Sequence, residues 1–240
     1  MRIIYSLLFF ISFSVSAQIE LKIDSITSND ITPKKRKFEI KYHIKNLTSK
    51  PISFFLIPNS LIAHSASSLT LFPVYKIYQN GTFEDVDGPF YERQFKEQEQ
   101  IEELNDTEQR KKLIEEISKK YTLEYKSIIE AYKNSGGTST DEAWIYKNQK
   151  LLQHIVTLKP NETKNFIIET NWNKERYYKI DDNEFYLDEK DKFEIELSLY
   201  LDKSNRKDLL SPEEFTKFNT DKNFIQGTFT SNKMEINFKE

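Results

Sequence analysis

From Lys37 to Lys45 the chain alternates without a break: Phe38, Ile40, Tyr42 and Ile44 are apolar, while Lys37, Glu39, Lys41, His43 and Lys45 are polar. Successive side chains of a strand point to opposite faces, so this pattern predicts a strand with one face buried and the other in water. Ile19, Leu21 and Ile23 alternate in the same way with Glu20, Lys22 and Asp24. The clearest case is Phe193, Ile195, Leu197, Leu199 and Leu201 against Lys192, Glu194, Glu196, Ser198 and Tyr200. Half-polar strands do not build a doubly wound parallel sheet, whose strands are apolar on both faces and separated by helices. They predict a mainly β fold of two antiparallel sheets packed face to face, a β-sandwich.

Turn signals divide the remaining strands. Asn46-Leu47-Thr48-Ser49-Lys50-Pro51 reads as a turn before a strand from Ile52 to Ile57. An extended stretch over 68–79 carries Leu69, Leu71, Val74, Ile77 and Tyr78. Asn80-Gly81 then marks a tight hairpin turn into Thr82–Val86. Later strands are expected at Asn165–Trp172, Phe224–Thr230 and Lys233–Phe238, with a short hairpin over Tyr177–Leu187. Ser211-Pro212-Glu213-Glu214 places a cap before proline and opens a short helix.

Between about Tyr91 and Val156 the period changes. Leu113, Ile117, Tyr121, Tyr125, Ile128 and Tyr132 recur at three and four residues, along one face of a helix. Glu115, Glu116, Lys119, Lys120 and Lys126 fill the other faces, and Asn134-Ser135-Gly136-Gly137 ends it. Ser139 and Glu142 have capping-box spacing for a second helix, with Trp144, Leu151, Leu152 and Ile155 along one side. A shorter helix over Glu92–Leu104 precedes the pair. The expectation is a two- to three-helix insertion at about 93–157 in a single β domain over 18–240. A separate helical domain is the alternative. The single apolar stripes favour docking onto the sheet.

The segment Phe38-Glu39-Ile40-Lys41-Tyr42-His43-Ile44-Lys45-Asn46-Leu47-Thr48 is a strand ending in an Asn-x-Thr turn, and Val74 to Gly81 is a strand ending at glycine. With Leu158-Lys159-Pro160-Asn161-Glu162-Thr163 and the later Trp172, they resemble exported immunoglobulin-like proteins of the BsuPI-type proteinase-inhibitor kind. Asn161 stands where that family's turn has glycine, and the helical block interrupts the family pattern. The resemblance implies the sandwich fold and, as one alternative function, proteinase inhibition. Phe224-Ile225-Gln226-Gly227 and Thr230-Ser231-Asn232-Lys233 are also similar to segments of exported Bacteroidota proteins.

The N-terminus agrees with export. Arg2, an apolar run from Ile3 to Phe13 and the small residues Ser14-Val15-Ser16-Ala17 have the three parts of a secretory signal peptide, with cleavage expected before Gln18. The run falls well short of the roughly 20 residues needed to span a bilayer. A cleaved chain belongs in the periplasm or outside the cell. The sequence has no cysteine. That removes disulfides, thiolate metal sites, a cysteine nucleophile and a lipid-modified cysteine. A net charge of −3 gives no electrostatic footprint for nucleic acid. Only 5 glycines are present, against 18 Phe and 13 Tyr, so glycine-rich phosphate loops are not expected.

No constellation of catalytic side chains emerges. His43 sits on the polar face of its strand, where solvent is the simplest surroundings. His64 has no nucleophile-elbow serine motif near it, and His154 falls at a helix end near the negative end of its dipole. No His-x-x-x-His pair suggests zinc. Asp181 and Asn183 begin a calcium-loop pattern that Phe185 breaks, Asp85 and Asp87 lack a third ligand, and the acidic run Asp188-Glu189-Lys190-Asp191 reads as another solvated turn. No cofactor or metal is expected. The candidate recognition residues are aromatic, because Tyr and Trp anchor many interfaces. Tyr121, Tyr125, Tyr132 and Trp144 come from the helical block, and Tyr177, Tyr178 and Tyr186 flank acidic turns. The expected role is a non-enzymatic exported binding protein that recognises a protein partner through the insertion. The alternative from a different class is a hydrolase using paired carboxylates on glycan or peptide.

Overall fold

A computed structural model describes residues 18–64, 70–84, 90, 100–101, 104–174, 178–180, 183–185 and 191–238. The segment 1–17 expected as a signal peptide, the start of the expected insertion at 93–99, most of the expected Glu92–Leu104 helix and the acidic residues Asp85, Asp87, Asp181, Asp182, Asp188 and Glu189 lie outside them.

Within the described residues the order is β1 (Ile19–Thr32), β2 (Lys35–Asn46), β3 (Ile52–Phe55), β4 (Ile62–Ala63), β5 (Val74–Gln79), β6 (Thr82–Glu84), α1 (Thr107–Asn134) and α2 (Glu142–Gln153). There follow β7 (Ile155–Leu158), β8 (Thr163–Asn173), β9 (Tyr178–Ile180), β10 (Asn183–Phe185), β11 (Phe193–Leu201), a 3₁₀ turn at Ser204–Arg206, α3 (Pro212–Thr220), β12 (Gly227–Thr230) and β13 (Met234–Ile236). Among the described residues the fold is mostly β, with the three named α-helices.

Strands β1, β2 and β8 form a three-stranded antiparallel sheet in that order. A six-stranded sheet runs β12-β11-β5-β4, with β13 also on β11 and β6 also on β5. β3 pairs with β7, and β9 with β10. The alternation that marked β2 is the alternation of burial, and β11 follows it except at Ser198, which is buried on the other face: Phe38, Ile40, Tyr42, Ile44, Ile195, Leu197 and Leu199 are all at 0% exposure. These side chains belong to one apolar cluster that unites inward residues of both sheets. Burying each contributes about 1.5–3 kcal/mol before chain entropy is counted. Phe238, just after β13, is the aromatic hub, with its ring centroid 5.0 Å from Trp172, 5.3 Å from Phe193 and 5.4 Å from Phe38.

Asn46 closes the end of this core. Its amide nitrogen donates to the carbonyls of Lys50 (2.7 Å), Lys159 (2.9 Å) and Leu158 (3.2 Å), and its oxygen accepts from Thr48 N and Oγ1. The turn after β2 and the turn before β8 are thereby clasped together. Both were among the segments on which the family resemblance was drawn.

The structure corrects several expected boundaries. The pairing of β4 with β5 is parallel, so the six-stranded sheet is mixed. Two residues per strand are too few for periodicity to register. Residues 155–157 are not helical: Ile155–Leu158 pairs with β3 in register Ile52↔Leu158, so the helical block stops at Gln153. Phe224 and Ile225 are not part of β12. Ile225 N donates to Ser53 O, which lays this segment parallel to β3 before Gly227, at φ +140°, turns the chain into β12.

Candidate interaction surface

The two long helices start in the same way. Asp106 accepts from Gln109 N (2.8 Å) at the start of α1, and Asp141 accepts from Trp144 N (3.0 Å) at the start of α2. A side-chain oxygen at this position satisfies a backbone N–H that the helix leaves open. Ser139 was expected as the second cap. Its hydroxyl instead accepts from Asp141 N at 3.3 Å, and the Asp141 carboxylate, two residues closer to Trp144, caps the helix.

Tyr132 holds the connection between the helices. Its hydroxyl accepts from Ser139 N (3.3 Å), and its ring lies so close to Gly137 that a β-carbon there would meet it at 2.2 Å. Gly136 turns the chain at φ +88°. Trp144 meets the Tyr132 ring edge-on at 6.4 Å, and Tyr125 stacks in a tilted arrangement on Tyr146 at 5.2 Å. Lys133–Glu142 (2.8 Å) and Lys150–Glu124 (2.7 Å) mark the two ends of the helix–helix contact. The Glu124 hydrogen bond is the main reason that Lys150 is held above its ordinary pKa.

α2 is anchored to the rest of the chain. Ile145, Asn148 and Leu151 are buried. Leu151 joins Phe55, Leu210, Phe218 and Phe224 in a second apolar cluster. Asn148 Nδ2 donates to Leu209 O (2.9 Å) and to Glu214 Oε2 (2.7 Å). That same Glu214 oxygen accepts from Ser211 N in the capping box that starts α3. Among the described residues α2 therefore packs against α3 and the end of β3, where docking onto a sheet was expected. The buried side of α2 runs through Ile145 and Asn148, with Trp144 beside it.

α1 is different. It is 28 residues long, against 12 in α2, which at 1.5 Å per residue leaves about 24 Å of helix without an equal partner. Its one buried residue is Ile129. Ile114 is 45% exposed, Tyr121 39% and Leu123 58%.

The predicted aromatic residues therefore separate. Tyr125, Tyr132 and Trp144 are half-buried in the contact between the helices, and Tyr121, near enough to Lys150 of α2 to help raise its pKa, is 39% exposed. Tyr178 lies in β9, and Tyr177 and Tyr186 lie outside the described residues. Ile114 and Leu123 were missed. Ile114 carried a signal, because it precedes Ile117 by three residues on the same stripe, while Leu123 lies off that stripe.

The perturbed titratable groups serve local structure. Asp30 is pushed down to about 2 by hydrogen bonds from Arg36 and Lys174. Asp191 is lowered by Asn80 and Gln79, which tie it to the hairpin turn between β5 and β6. Burial opposes the ionised form of Asp202, but donors from Ser204 and Asn205 prevail and lower its pKa. His154 caps α2, where burial and then Lys150 hold its pKa below the usual value. The ring of His64 packs edge-on against Phe83 at 5.5 Å. His43 departs from the solvated role expected of it: its side chain is 14% exposed and lies between two carboxylates. Among the described residues no group of three or more His, Asp or Glu side chains is arranged to hold a metal ion, and no helix is long and apolar enough to cross a membrane.

Compared with known protein families, curated proteins and solved structures, the chain matches none.

Proposed function

We propose that this chain is an exported, non-enzymatic binding protein whose two larger sheets form an immunoglobulin-like sandwich, and that it recognises a protein partner through α1. One observation carries the reading. The helix that α2 anchors to the body keeps Ile114, and in part Tyr121, at the surface of one face. A rigid scaffold that presents a partly apolar element is a common arrangement for recognition. The signal-like segment before Gln18 supports export.

The direct test pairs Ile114→Glu with Tyr121→Ser in the whole protein. Both positions are surface positions, so the thermal midpoint should stay within a few degrees of the parent. A partner identified by cross-linking to the parent should no longer be captured. Unchanged capture by a folded double variant would remove α1 from the recognition role. Export has its own readout: N-terminal sequencing of protein recovered outside the cytoplasm should begin at Gln18, and a retained Met1 would refute cleavage.

A further inference from the structure

β1 pairs with β2 in a register that places Lys22 opposite His43 and then shifts between Ile23 and Ser25. Asp24 is the extra residue of this bulge. Its two carboxylate oxygens each lie 2.8 Å from His43 Nδ1, and Glu20 Oε1 lies 3.1 Å from His43 Nε2. A neutral imidazole has one N–H and one lone pair, so it can donate to only one of these carboxylates and turns its lone pair toward the other. The imidazolium donates to both.

The bulge is also where the two larger sheets are tied together. Ile23 N donates to Asn232 Oδ1 at 2.8 Å, and Asn232 Nδ2 donates to Ile23 O at 3.3 Å. Asn232 sits in the turn between β12 and β13 of the six-stranded sheet. One side chain thus occupies both backbone groups of the residue that precedes Asp24.

We propose that His43 is a proton-controlled pin: its imidazolium clasps Asp24 and Glu20 across the β1 bulge, so that the adjoining Ile23–Asn232 seam between the sheets tightens as pH falls and loosens as pH rises.

The charges facing His43 from its own sheet are mixed. On β1 these are Glu20, Lys22 and Asp24, and on β2 they are Lys41 and Lys45, two residues away on either side. β8 places the uncharged Asn165 opposite it, with Thr163 and Ile167 beside that residue on the same face. Lys41 is itself paired with Glu39 at 3.1 Å. The two carboxylates in direct contact are therefore the strongest influence. Burial lowers the His43 pKa, but the hydrogen bonds and charges of Asp24 and Glu20 outweigh it and hold it above 6.5. A histidine raised in the folded state contributes stability that is fully present below its unfolded pKa, and that is lost as pH rises through the folded value.

The test follows the His43 ring by NMR and the Ile23 amide by hydrogen exchange, corrected for intrinsic rates, from pH 5 to 9 in the full chain. His43 should titrate above the ordinary histidine value. Protection at Ile23 should fall, as pH rises, by a factor equal to ten raised to that pKa elevation. In His43→Gln the corrected protection should be flat with pH, and in Asp24→Asn the His43 pKa should drop toward its ordinary value. A His43 that titrates at or below 6.5, or the same pH course at Ile23 in parent and Gln variant, would overturn the proposal. Should the Gln variant fail to fold, the exposed Asp24→Asn change decides by itself, because an unmoved His43 pKa rejects the clasp.

Discussion

α1 and α2 obey the same local rules and meet different fates. Each is capped by an aspartate that accepts from the backbone N–H three residues on, and each has an acidic first turn and a basic last turn. Yet α2 buries Ile145, Asn148 and Leu151 within 12 residues, whereas α1 buries only Ile129 in 28. Caps and amphipathic spacing decide that a helix forms. What it packs against is decided elsewhere, for α2 by α3 and the loop around Leu209. The short helix serves as the anchor, and the long one is what it holds out.

The contrast can be broken by equilibrium unfolding in urea. Leu151→Ala should cost about 2–5 kcal/mol, because it leaves a cavity among Phe55, Phe218 and Phe224. Asn148→Ala should cost about 1–3 kcal/mol, because Leu209 O and Glu214 lose their buried donor. Ile114→Ala, on the presented helix, should stay within about 0.5 kcal/mol. Equal losses at Leu151 and Ile114 would mean that α1 is anchored as firmly as α2. A comparably small effect belongs to the ion pair at the hairpin: a Lys133 and Glu142 double-mutant cycle should give about 0.2–1 kcal/mol, since both side chains are half-exposed. A coupling well above that range would make the hairpin end, and not Asn148 and Leu151, the main fastening.

How far the sequence revealed this arrangement depends on the reach of each signal. β2 and β11 were legible because alternation and burial are the same fact in a strand with one wet face. α3 was legible because Ser211, Pro212 and Glu214 act within one turn. The fastening of α2 was not, because Asn148 is polar and its acceptors are 61 and 66 residues away. Ile155 and Val156 fit the end of a helix as well as they fit a strand, and pairing with β3 settles the matter for strand. In the candidate surface, spacing grouped Tyr121, Tyr125 and Tyr132 on one stripe. It could not show that α2 would cover the last two more fully than the first. His43 looked solvated because its strand neighbours are charged. The bulge that swings Asp24 onto it is a property of two strands together.

The Asn46 clasp bears on how the chain could be produced. Asn46-Leu47-Thr48 spells the acceptor tripeptide for N-linked glycosylation, as do Asn80-Gly81-Thr82, Asn105-Asp106-Thr107 and Asn161-Glu162-Thr163. Asn105 and Asn161 are exposed and could carry a sugar into solvent. Asn46 is 0% exposed, and its amide hydrogens are engaged by the turn carbonyls around it. In a host that glycosylates its secreted proteins, these equivalent tripeptides would not all meet the same outcome. At Asn46 alone the order of events is decisive: once the turn has closed the transferase has no substrate, and a glycan attached first would occupy the space in which the turn must close.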